Sequence, residues 1–145
     1  MKKLLVLSLI SLGLSAPALA RDTVLDIPLE DVLSMPEAKD QLDGSVKFFL
    51  SGAKTPKIIK KFGSDTSNKK TNGVGKSDEF GCKWAALSAL AAFQQSAKRE
   101  GANAVIDMVS YYRKEETKDP KTFRCHAGSF VVGVTLKGTY AKIAD

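Results

Sequence analysis

The sequence predicts an α+β domain: an antiparallel sheet with one long helix packed across a face, plus a short N-terminal helical segment. Three observations predict it. Asp78 to Glu100 repeats apolar residues at helical spacing, between a capping serine and a stopping glycine. Downstream of it, stretches alternate apolar and polar residues with the period of two expected of half-buried strands. Upstream, the apolar stretches are short and are broken by Pro36 and by Asp43-Gly44.

Thr23 to Ile27 alternates and reads as a short strand. Leu29 to Leu42 is helical with a break at Pro36, and Glu30 and Asp31 suit the positive end of its dipole. Val46 to Leu50 is a strand. Ser51 to Lys76 is the least regular region: Ile58-Ile59 and Phe62 suggest some strand, and Asn68 to Gly75 reads as a loop. In the long helix, Ser77 is the N-cap, Asp78 and Glu79 lie in the first turn, Lys98 and Arg99 lie in the last, and Gly101 is the stop. Cys82, Ala86, Leu90, Phe93 and Ala97 form its buried stripe, widened by Trp84, Leu87 and Ala91. Ala102 to Arg113 is a strand with Ala104, Ile106 and Met108 on one face and Val105, Val109 and Tyr111 on the other. Lys114 to Lys121 is a charged turn. Phe123 to Ala127 and Phe130 to Leu136 are strands separated by a bend at Gly128, with Phe130, Val132, Val134 and Leu136 sharing a face.

The chain divides at residue 20. Lys2 and Lys3, the apolar run Leu4 to Leu14, and Ala18-Leu19-Ala20 have the build of a cleaved secretory leader, and the apolar run is too short to span a bilayer. Residues 1–20 are therefore expected to be a signal peptide and residues 21–145 a single periplasmic domain beginning at Arg21, without a lipidated cysteine. ATP and NAD are not at hand in that compartment, which argues against most enzyme classes.

Cys82 and Cys125 are the only cysteines, and two cysteines in an exported chain point to one structural disulfide. Closing that loop would contribute about 4 kcal/mol in the chain-entropy description. His126 is the only histidine. Neighbours in a strand point to opposite faces, so Cys125 and His126 do not suit one metal, and no metal or other cofactor is expected.

Charge is uneven. Lys54 to Lys76 carries seven lysines against the single acid Asp65. Lys54, Lys57, Lys60, Lys61, Lys69, Lys70 and Lys76 are a candidate polyanion-binding set, although a solvated strand edge accounts for the same residues. The segment has no arginine and one aromatic, Phe62, which argues against nucleic acid. Gly73-Val74-Gly75-Lys76-Ser77 looks like the end of a phosphate-binding loop, but position 70, where the motif needs its first glycine, is Lys70, so no nucleotide is expected. Ser88, Ser96 and Ser110 lack a nucleophile-elbow setting, and no catalytic residue is assigned.

The order of the second half is distinctive: an Ala- and Leu-rich helix ends in Gly101-Ala102-Asn103-Ala104-Val105-Ile106, and a strand, a charged hairpin and a last strand with Gly138-Thr139-Tyr140 follow. It resembles the YbjQ and RcsF superfamily of small α+β domains. Asn68-Lys69-Lys70-Thr71-Asn72, Lys76-Ser77-Asp78-Glu79, Cys82-Lys83-Trp84-Ala85 and the run from Gly133 to Thr139 resemble a family of exported bacterial proteins that carries the label "excinuclease ATPase subunit". The resemblance implies the fold. RcsF is an envelope-stress sensor, but it is a lipoprotein with two disulfides, so its tether does not carry over to a chain with two cysteines and no lipobox. YbjQ-type domains are described as metal binders that form rings.

The sequence thus leads to a non-enzymatic binding, sensing or adaptor domain of the cell envelope, with an envelope protein or an anionic envelope polymer as partner and no membrane span. The alternative is a small-ligand or metal-binding oligomer.

Overall fold

In the computed structural model, the described residues are Gly13 and 21–145. The expected leader lies outside them, apart from Gly13. The chain runs through strand β1 (Thr23–Pro28), helices α1 (Leu29–Leu33) and α2 (Ala38–Gln41), strands β2 (Lys47–Leu50) and β3 (Ile58–Asn72), helix α3 (Asp78–Glu100), and strands β4 (Ala104–Ser110), β5 (Thr122–Ala127) and β6 (Val131–Ile143). The fold is mixed α+β, a six-stranded sheet with α3 packed across it.

β6 organises the sheet. Along one edge it pairs antiparallel with β3 over nearly its whole length. Along the other edge its first residues pair with β5 and its later ones with β4. β1 extends the sheet beyond β5, and β2 extends it beyond β4. β2 and β4 are parallel, so the sheet is mixed and not purely antiparallel as the sequence suggested. The cause is α3: it carries the chain back to the end of the sheet where β2 began, and β4 therefore starts in the same direction as β2.

α3 is built by local rules. Ser77 Oγ accepts the Phe80 N–H at 3.1 Å, and Gly101 closes the helix at φ 77°, where a Cβ would be strained. Asn103 then ties the exit turn to the end of β6: its Oδ1 accepts the Ile143 N–H at 2.7 Å, and its Nδ2 donates to the Ile143 carbonyl at 3.1 Å. The buried stripe Cys82, Ala86, Leu90, Phe93 and Ala97 meets Val132, Val134, Leu136 and Tyr140 of β6. Trp84 is half-buried against this core. Gln94 accepts the Asp43 N–H and donates to the Gln41 carbonyl, fixing the end of α2 to α3.

Four local expectations are corrected. Asn68 to Asn72 is strand and not loop, because β3 continues along β6. β4 ends at Ser110, and Tyr112–Lys114 turns away as a 3-10 turn. Phe130 is not on the face of Val132, Val134 and Leu136. Gly128 donates its N–H to the Val131 carbonyl, so a tight turn leaves Phe130 outside before alternation starts. Met108 leaves the face of Ala104 and Ile106 and enters the helix-side core with Val105, because β4 has a bulge at Asp107.

The sheet face away from α3 is not uniform. Ala104, Ile106, Ala141 and Ile143 make a small apolar cluster with Phe49 and Ile58 at one end. The rest of that face stays open and polar.

Candidate functional site

The seven candidate lysines do not converge. Lys54 and Lys57 precede β3, Lys60, Lys61, Lys69 and Lys70 are strung along it, and Lys76 lies in the turn before α3. At a strand rise of about 3.3 Å per residue, Lys60 and Lys70 are about 33 Å apart. Lys60 Nζ sits 5.0 Å over the Phe62 ring. Lys69 lies beside Phe93 and Tyr140 on the helix side, and Lys70 lies on the open face. β3 pairs only with β6, so these charges line an edge strand, where lysine opposes unwanted strand pairing.

Lys70 alone of the seven joins a groove on the open face. Two adjoining cavities of 620 Å³ and 280 Å³ share Lys70, Tyr112, Arg113 and Gly133. Gly133 lies in the middle strand, opposite both Lys70 of β3 and His126 of β5. The absence of a side chain there leaves the trough open; a Cβ would stand 3.5 Å from Lys70 Cγ. Thr66, Asn68 and Thr135 line the larger cavity, and Arg21, Asp22 and His126 line the smaller.

The aromatic wall is ordered by stacking. The Tyr112 and His126 rings stack with centroids 3.5 Å apart and planes 18° apart. His126 Nδ1 lies 3.1 Å from Asp22 Oδ1, close enough to donate when protonated at that nitrogen. Arg113 places its guanidinium 5.1 Å from the Tyr112 centroid. Arg113 and Lys114 both hold left-handed backbone, at φ 51° and 64°. Non-glycine residues adopt it at a cost and cluster at binding sites.

The cations around this groove divide into two sets. Arg21 is paired with Asp78, Arg124 with Asp26, and Lys137 with Glu116. Lys70, Arg113 and Lys114 have no ion-pair partner among the described residues. Three uncompensated charges beside tyrosine and threonine hydroxyls make a surface that attracts anions.

Cys82 and Cys125 are brought together between α3 and β5, both fully buried, with sulfurs 2.08 Å apart, compatible with a disulfide bond. Cys125 faces the core, and His126 faces the groove. Among the described residues no three His, Cys, Asp or Glu side chains gather as a metal-ligand set. The Gly73 to Ser77 turn links β3 to α3; its serine hydroxyl is engaged as the helix cap, and Asp78 and Glu79 place two carboxylates in the first turn.

The chain matches no family model and no curated protein. Sequence reasoning looked for a binding surface in the lysine-rich segment alone. The arginine and aromatics missing from that segment come from Tyr111-Tyr112-Arg113-Lys114, a contiguous aromatic and basic run that was assigned to strand and charged turn. That run was the available signal.

Proposed function

We propose that the protein is a non-enzymatic binding domain of the cell envelope that holds an anionic envelope polymer in the groove on its helix-free face. One observation carries this reading: Lys70, Arg113 and Lys114, unpaired among the described residues, converge on a trough floored by Gly133 and walled by Tyr112 and His126. The leader-like N-terminus and the buried cysteine pair support an exported, periplasmic protein. No helix among the described residues is long and apolar enough to cross a membrane. The reading assigns no catalytic residue, nucleotide or cofactor. The fold shares with the YbjQ- and RcsF-like expectation a long helix entering the sheet through the Gly101 to Ile106 turn.

The test uses the chain from Arg21 and, as probe, dextran sulfate or a purified acidic polysaccharide. Binding is expected to weaken with salt, and a Lys70→Ala, Arg113→Ala, Lys114→Ala variant is expected to bind on the order of tenfold more weakly at low salt. A variant that melts like the parent and binds like it would remove the groove from the function.

The larger cavity also favours a second reading, a small-ligand protein, because 620 Å³ falls within the range of roughly 300–1,000 Å³ typical of such sites. Among the described residues no set of three His, Cys, Asp or Glu side chains supports its metal-binding form. Light scattering decides the oligomer part: a ring supports the second reading, and a monomer that binds polymer supports the first.

A further inference from the structure

Six large hydrophobic side chains are exposed among the described residues, and four of them lie at one end of the molecule. Phe130 is 73% exposed, Val74 57%, Val131 50% and Phe80 39%. They belong to three segments that are stitched together. Gly73, in the turn between β3 and α3, donates its N–H to the Phe130 carbonyl at 2.9 Å. Val131 pairs with Asn72. Gly81, one residue beyond Phe80, packs its backbone so closely on Val132 that a Cβ would stand 3.0 Å from Val132 Cγ2. The patch therefore sits on a framework of strand ends and a helix start, not on one wandering loop.

Charge at this end favours a negatively charged surface. Of the acids there, Asp78 is held by Arg21 at 2.6 Å, Glu79 by Lys83 at 2.9 Å, and Asp22 lies 3.1 Å from the His126 ring. Lys76, exposed between Val74 and Phe80, has no ion-pair partner among the described residues. Arg21 also belongs here, donating to the Gly128 carbonyl at 2.7 Å.

We infer that this end is a membrane-docking tip: Phe130, Val131, Val74 and Phe80 enter the interfacial layer of an anionic phospholipid bilayer, and Lys76 lies at its headgroups. An exposed aromatic beside small apolar side chains and a cation suits that layer, where apolar burial and attraction to anionic lipid act together. The tip rests on the surface and does not span. Arg21 and Val131 also line the smaller cavity of the groove, so the groove borders the tip there, whereas the lining of the larger cavity holds none of the tip residues and stays clear of the docked surface.

The test uses the chain from Arg21 and vesicles of phosphatidylglycerol with phosphatidylethanolamine, read by co-sedimentation. The parent is expected to sediment with them and to sediment less with phosphatidylcholine vesicles. Phe130→Asp is expected to lower partitioning roughly tenfold or more, the range for returning a buried phenyl side chain to water. At 73% exposure, Phe130 is not needed for folding, and unchanged melting checks this. A second variant, Phe130→Trp in a Trp84→Phe background, is expected to shift its emission to the blue on vesicles. Parent protein that stays in the supernatant, or a Phe130→Asp variant that sediments like it, would overturn the proposal. So would a concentration-dependent dimer abolished by Phe130→Asp, which would assign the patch to a second copy.

Discussion

Asp107 sets the character of the sheet from a single residue. Its φ of 52° is left-handed, and the four residues of β4 from Ile106 to Val109 stand opposite only three of β6, Thr139 to Lys137. The extra residue turns Met108 into the helix-side core beside Val105. Aspartate tolerates this conformation better than most residues, and a β-branched side chain does not. Asp107→Val should therefore lower stability by about 1–2 kcal/mol, and Asp107→Gly by less, both read from urea unfolding. An Asp107→Val protein with the parent's midpoint would show that the bulge carries no strain. Gly138 is the matching residue on β6. A Cβ there would stand 2.6 Å from Val105 Cγ1 and 3.1 Å from Met108 Cγ, both held in the core. Gly138→Ala should cost about 1–3 kcal/mol, the usual penalty of overpacking, and Val105→Ala should recover part of it in the double variant. A Gly138→Ala protein as stable as the parent would mean the core yields there. Nothing in the alternating pattern of β4 announced the bulge, because Ala104, Ile106 and Met108 read as one face just as well.

At the scale of elements, legibility followed how locally each element is determined. α3 carries its own cap, stripe and stop, and its bounds were readable. The two short helices were readable because Pro36 interrupts their pattern. β3 was not readable in its second half, because Ser67 is the one residue of that half buried on the helix side, where it donates to the Ala89 carbonyl. An edge strand with lysine and asparagine along it has no periodic signal of its own; its order comes from β6. The groove was hidden for a related reason, since its charges come from β3 and from the turn after β4, which only β6 brings side by side. The cysteine pair is the element-level bond most open to test. It ties the second turn of α3 to β5 across 43 residues. Cys82→Ala should lower stability by about 2–5 kcal/mol, and unreduced peptide mapping should find Cys82 joined to Cys125. Two thiols that alkylate freely in the native exported protein would reject the bridge.

At the scale of the whole molecule, exposed acids give stability a shape in pH, two of them by joining distant segments and one by ordering a turn. Asp43 is held far below the usual carboxylate range, first by Lys98 at the end of α3 and then by Ser45. The Arg21 guanidinium lowers Asp78, and the backbone N–H groups of Lys121 and Thr122 lower Asp119. Their stabilisation is present above the unfolded carboxyl value of about 4 and is lost as pH falls below it through the folded values. Tyr140 acts at the other extreme. Burial and, secondarily, the Asp65 carboxylate that accepts its hydroxyl at 2.9 Å push it up to about 12, against Ser96, which lowers it. The native chain keeps that proton where the unfolded chain has lost it, so stability falls as pH rises from about 10 to about 12. Thermal melts across pH should therefore show a plateau bounded by an acid limb and an alkaline limb. Asp43→Asn should melt lower than the parent at neutral pH, and the gap should close on the acid limb, where the parent's carboxylate is also neutral. Tyr140→Phe should flatten the alkaline limb and leave the acid limb in place. An Asp43→Asn gap that persists unchanged along the acid limb would mean that the loop is held by packing and not by charge. An alkaline limb identical in Tyr140→Phe would mean that Tyr140 does not set it.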